Sequence, residues 1–224
     1  QSLGQLCQQH LSDAFKKFYE LCSSRLVGMA ARAESNRLQT LYLDSQRLLR
    51  KQRSMIEAAT IAAAIDHLTR LEAQASGVEP VAETGLDTTQ PTTESSNADR
   101  LKLLGHEDLE VMIALDNCSS RVREELRSDL HQFEGRLRSM LNKASLIKTL
   151  PMSPDVILEA FVSAIDEDMV AVEVQLELVR MFDLSCFDKS YGEMLGVANQ
   201  MLEDAGFTPA ADIAAVEDAV VTRS

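Results

Sequence analysis

The sequence predicts an all-α fold, a helical bundle built from long amphipathic helices. Three observations carry that prediction. Gly and Pro number only 9 and 5 in 224 residues, so helix breakers are few. Aromatics make up 4% of the chain, Trp is absent, and strand-forming residues never gather in a bounded run. Apolar residues instead recur at steps of three and four along most of the chain, the period of a helix with one buried face.

The elements follow in order. Residues 3–31 read as a first helix with Leu3, Leu6, Leu11, Ala14, Phe15, Phe18, Leu21 and Cys22 on one broad face, and with Ser23–Ser24 as a weak point. Ser35 or Asn36 is positioned to cap the next helix. Residues 37–75 carry two columns with a seven-residue step, Leu41/Leu48/Met55/Ala62 and Tyr42/Leu49/Ile56/Ala63, and end before Gly77. Such columns keep a seam turned to one partner over several turns. Residues 107–143 form the cleanest stripe: Met112, Leu115, Ser119, Val122, Leu126, Leu130, Phe133, Leu137 and Met140, with Arg136 expected off it and exposed. Ser153–Pro154 opens a helix over 155–166, since Pro suits the first helical position. Residues 168–184 are apolar on nearly all sides and are expected to be central. A last helix spans 188–205, closed by Gly206 and Pro209.

Residues 76–99 break the pattern. They hold two Pro, two Gly, many Ser and Thr, no aromatic and no positive charge. Such a stretch buries too little apolar surface to offset its ordering entropy, and reads as a flexible acidic linker. The domain reading is therefore a helical hairpin over 1–75, a linker over 76–99, a helical bundle over 100–209 and an acidic tail over 210–224. A two-helix hairpin needs cover for its apolar face. The bundle supplies it, or a second copy of the chain does, giving a homodimer through the 37–75 seam.

The net charge of −13 is unevenly distributed: +3 over 1–75, −5 over 76–99, +1 over 100–150 and −12 over 151–224. An acid block of that size argues against nucleic acid as a partner there and favours a basic partner or solubility. The densest basic group is Arg47, Arg50, Lys51 and Arg53. It reads as an exposed stripe opposite the Leu48/Leu49/Met55/Ile56 seam, and it is the candidate partner-binding surface. The acid block is itself a candidate to cover it.

Catalytic, cofactor and metal sites are not expected. The four His, at 10, 67, 106 and 131, show no zinc-binding spacing, and no phosphate-cradling glycine motif or nucleophile elbow occurs. Cys7, Cys22, Cys118 and Cys186 have no paired spacing and read as small hydrophobes in a reducing cytosol. Asp166–Glu167–Asp168 reads as a solvated turn whose acids favour the following helix N-terminus. No stretch approaches a membrane span.

Two segments carry a family resemblance: LVGMAARAESNRLQTLYLDSQRLLRKQRSMIE at 26–57, and LLGHEDLEVMIALDNCSSRVREELRSDLHQFEGRLRSML at 103–141. PMSPDVILEAF and YGEMLGVANQMLEDAGFTP follow them. Over roughly 10–209 the chain resembles the N-terminal part of the proteobacterial domain of unknown function family 1631, whose members are often labelled thymidine phosphorylases. The pattern carries Asn36, Gln39, Tyr42, Arg47, Arg50 and Arg53 from the first segment and Leu109, Glu110, Ile113, Ala114 and Asn117 from the second. The resemblance implies a bacterial cytoplasmic setting and an N-terminal piece of a longer protein, and assigns none of these residues a role. The functional expectation is a non-enzymatic helical protein-interaction module with a regulatory or adaptor role. The alternative is a ligand-responsive or nucleic-acid-linked regulator acting through the 47–53 stripe.

Overall fold

The computed structural model describes residues 2–75, 106–140, 150–165 and 170–209. The expectations placed on 76–99, on Gly77, on Asp166–Glu167–Asp168 and on 210–224 lie outside those residues. The described residues form seven helices and no strand: α1 (Leu3–Ala31), α2 (Asn36–Ala75), α3 (His106–Glu125), α4 (Arg127–Met140), α5 (Pro154–Ala164), α6 (Val172–Cys186) and α7 (Lys189–Asp204).

Local chemistry sets the ends. Ser2 Oγ accepts from the Gln5 amide at 3.2 Å while Gln5 Oε1 accepts from the Ser2 amide at 3.0 Å, a reciprocal box that starts α1. α1 runs unbroken through Ser23 and Ser24. Ser35 Oγ accepts from Leu38 at α2, Ser153 Oγ from Val156 at α5, and Asp188 from Ser190 at α7. At the end of α7, Gly206 has φ +88°, and the amides of Phe207 and Gly206 reach back to the carbonyls of Leu202 and Glu203. That reversal needs a left-handed residue, which Gly supplies without steric cost.

The helices stack in layers. The antiparallel α1–α2 hairpin forms one layer, α5 and α6 the next, and α3 the third, because α6 packs against both α1 and α3 while α5 packs against both α2 and α3. α7 packs on α4 and touches α1. The core is one continuous cluster drawn from all seven helices. At its centre Phe161 of α5 lies flat on Phe182 of α6, with ring centroids 3.9 Å apart, and Phe18 of α1 meets both edge-on.

Several expectations change. The 107–143 stripe is divided at Leu126, where α3 gives way to α4, although the amides of Leu126 and Leu130 still bond the carbonyls four residues back. Leu126 packs closely on α7 there: a Cβ on Gly192 would lie 3.3 Å from a Leu126 methyl, which would have to shift slightly to admit it. Val122, Leu130, Phe133 and Leu137 are buried, but Leu126 is half-buried, and at the start of the stripe Val111 is buried while Met112 is exposed, so the buried face is offset there by one residue. The two α2 columns are not core lines either. Met55, Ala62 and Ala63 are exposed, and the buried positions are Ser45, Leu49, Ile56, Thr60, Ala64 and Leu68. α2 faces two neighbours, α1 and α5, and no single seven-residue column can serve both.

Arg136 is the sharpest correction. It is buried, at 7% exposure, not free in solvent. Its Nη1 donates to Asn199 Oδ1 at 2.9 Å and to Gln132 Oε1 at 3.2 Å, and its Nη2 donates to Glu203 Oε2 at 2.8 Å. Asn199 in turn donates to the carbonyl of Asp129 at 3.0 Å. A residue three positions from Phe133 is only about 60° away around a helix, inside a broad packed face.

The turn before α5 is left-handed at Met152, with φ +61°. Pro151 precedes it and the Ser153 amide bonds the Leu150 carbonyl at 3.2 Å, the form of a type II turn that ordinarily takes Gly. The Met152 side chain is fully buried, and Tyr191 Oη donates to its carbonyl at 2.8 Å.

Candidate functional site

The four basic residues singled out on α2 are all exposed, but they do not form one stripe. At 100° per residue, Arg53 lies roughly 40° from the buried Leu49 and Arg50 roughly 100°, while Arg47 and Lys51, about 40° from each other, lie about 160° from it on the far face. Arg53 is therefore at the edge of the buried face rather than opposite it. Arg50 and Arg53 turn toward α1 and line a cavity of about 360 Å³ between the two helices. Lys16, Tyr19, Glu20 and Ser23 of α1 and Gln46 of α2 complete its polar wall, over a floor of Cys22, Leu26 and Leu49.

Tyr19 organises this wall. The Arg53 guanidinium carbon sits 4.7 Å from the centroid of the Tyr19 ring, and Tyr19 Oη donates to the Arg53 carbonyl at 3.0 Å. One side chain thus holds both the backbone and the charged end of Arg53. Burial, reinforced by the Glu57 charge, pushes the Tyr19 phenol well above its ordinary range, so it stays protonated and keeps that bond. Gln46 Nε2 donates to Ser23 Oγ at 3.3 Å across the helix pair. Burial likewise raises the Cys22 thiol, which leaves it un-ionised at neutral pH.

The charges at this cavity are unbalanced. Lys16 pairs with Asp13 at 2.7 Å and Arg47 with Asp44 at 3.1 Å. Among the described residues, Arg50, Lys51 and Arg53 have no carboxylate within 4.0 Å. No described carboxylate of the C-terminal acid block reaches them. Five of the described ones pair elsewhere: Asp188 with Lys17 at 2.6 Å, Glu177 with Arg25 at 3.4 Å, Asp183 with Arg121 at 2.7 Å, Asp155 with Arg123, and Glu203 with Arg136. A larger recess of about 530 Å³ near the 150–153 turn also contains arginines, but Arg123 is paired with Asp155 and Arg127 with Glu124.

A second polar cluster lies in the core where α1 meets α6 and α7. His10 Nε2 is 3.0 Å from the Cys186 carbonyl oxygen, which assigns the proton to Nε2. The Cys186 sulfur is 3.7 Å from the same nitrogen, and the His10 and Tyr191 rings are 5.7 Å apart. Burial lowers the His10 pKa, against the opposing Cys186 hydrogen bond and Asp188 charge. Burial raises Cys7 to about 12 and Cys186 well above its ordinary value. Among the described residues, no three His, Cys, Asp or Glu side chains gather to hold a metal ion, and no helix is long and apolar enough to cross a membrane.

Lys16, Tyr19, Ser23 and Gln46 are missed by sequence reasoning. Arg53 offers a signal, because it shares a helix face with Leu49 four residues back. The others become visible only with the register of α1 against α2.

These features define a class: an all-α domain in which, among the described residues, two long antiparallel helices cover a bundle of five shorter ones, with a basic cavity between the long pair. The chain belongs to the family of proteins of unknown function DUF1631, whose N-terminal domain model matches residues 1–206. No curated protein matches the chain, and no solved structure does.

Proposed function

We propose that this domain is a non-catalytic interaction module that docks an acidic protein partner on the exposed basic face of α2, in a regulatory or adaptor role in the bacterial cytoplasm. The observation that carries the reading is the set of arginines and the lysine at 50, 51 and 53 without a carboxylate in reach among the described residues, in a chain of net charge −13. Charges of one sign on a rigid helix steer and orient a partner of the other sign. A non-catalytic role is supported by the burial of Cys7, Cys22 and Cys186 and by the engagement of His10 with a backbone carbonyl.

The test places a photo-crosslinking residue at the exposed Ser54 of the full-length protein in its own cells. The expected product is one dominant protein adduct whose contact segment is rich in Asp and Glu, lost in an Arg47→Glu/Lys51→Glu variant. An adduct indifferent to that charge reversal, or none at all, would count against the reading.

A further inference from the structure

We infer that the cavity between α1 and α2 is a binding site for a small anionic molecule, its phosphate or carboxylate group held by Arg50 and Arg53. This goes beyond protein docking: it shares Arg50 and Arg53 with that reading, while Arg47 and Lys51, the residues reversed in the docking test, lie outside the cavity wall.

Four observations support the inference. The volume of about 360 Å³ falls within the range of roughly 300–1,000 Å³ occupied by small-molecule sites. The wall carries several polar side chains that converge on one recess, Lys16, Tyr19, Ser23, Gln46, Arg50 and Arg53, the kind of lining that fixes a ligand's orientation. Arg50 and Arg53 stand three residues apart on one helix, so their guanidinium groups are neighbours of like charge. No described carboxylate lies within 4.0 Å of either, while the nearby Lys16 is already paired with Asp13. An oxyanion between them would relieve that repulsion through charge-assisted hydrogen bonds. Arg53 is also held in advance: Tyr19 grips its carbonyl and lies under its guanidinium. A donor fixed before binding loses less freedom when a ligand arrives. By contrast, the arginines of the 530 Å³ recess already have carboxylate partners.

Phosphate and carboxylate share this recognition chemistry, and matched probes separate them. The full chain is titrated by calorimetry with phenyl phosphate, with phenylacetate and with uncharged benzyl alcohol. One or both anions should saturate at one site per chain, and benzyl alcohol should not bind; the tighter anion identifies the head group. Arg50→Ala and Arg53→Ala should each weaken binding about tenfold or more, as expected for loss of a charge-assisted hydrogen bond. Arg47→Glu/Lys51→Glu should leave the titration unchanged, so failure of the docking reading and failure of this one are told apart. Arg53→Lys keeps the charge and the fold and should bind with intermediate affinity. No saturation by either anion, equal binding of benzyl alcohol, or an Arg50→Ala variant that melts like the parent and binds as tightly would overturn the inference.

Discussion

Two helix joints in this molecule solve the same problem differently. At the α4–α7 joint a single arginine, Arg136, is buried and reaches Gln132, Asn199 and Glu203. At the α1–α2 joint, Arg50 and Arg53 stay exposed around a cavity, with one guanidinium resting on a ring instead of a carboxylate. The difference follows the distribution of acids. α7 belongs to the segment that carries −12, so an arginine packed on it finds a carboxylate, while α1 and α2 belong to a segment of net charge +3. A matched arginine closes its joint, and an unmatched one leaves a joint that can receive something.

The comparison can be tested by variants of decreasing effect. Phe133→Ala removes a fully buried ring beneath the closed joint and should destabilise by about 3–5 kcal/mol in urea melts. A shift below about 1 kcal/mol would mean the joint collapses around the gap. Arg136→Ala should cost about 1.5–3 kcal/mol, the range for hydrogen bonds to a charged group, because Asn199 Oδ1 loses its donor. If the loss is as small as at an exposed site, the joint is not closed by this arginine. Stability should also fall with acid because of His10. Its folded pKa is lowered, so the unfolded chain takes up the proton first as pH drops below about 6.5, and stability declines from there down to the lowered folded value. Asp13, Lys17, Asp188, Cys7, Cys186 and Tyr191 all bear on that site. Melts at pH 7.5 and pH 5.5 should show a larger acid loss in the parent than in His10→Gln, and equal losses would remove His10 from the account. Arg50→Ala, at the open joint, should change stability by about 0.5 kcal/mol or less. A loss like that of Arg136→Ala would mean the two joints are built alike.

Much of the fold was legible locally. Leu11, Ala14, Phe15 and Phe18 repeat at helical spacing and are all buried. Ser153–Pro154 starts α5, and Gly206 reverses the chain after α7. What escaped depends on contacts distant in sequence. Arg136 meets Asn199 and Glu203 across 63 and 67 residues, and nothing near position 136 announces them. The helix break at Leu126 leaves the three-four apolar step intact, so periodicity cannot report it. Of the candidate surface, the exposure of Arg47, Arg50, Lys51 and Arg53 was legible, but not its division by a cavity, which depends on how α1 slides against α2.

The left-handed turn at Met152 bears on the order in which the molecule assembles. A non-glycine residue with positive φ costs roughly 1–2 kcal/mol, so the isolated 150–153 segment has little reason to adopt this shape on its own. Two things hold it: a pocket that fully encloses the Met152 side chain, and the Tyr191 hydroxyl arriving from α7. Both require distant parts of the chain to be in place already. The turn should therefore form late, after the transition state, with α7 acting as the latch on the entry to α5. Tyr191→Phe would then leave the folding rate nearly unchanged and appear almost entirely as faster unfolding, making the lifetime of the native state, rather than the ease of reaching it, the property that this one hydroxyl controls.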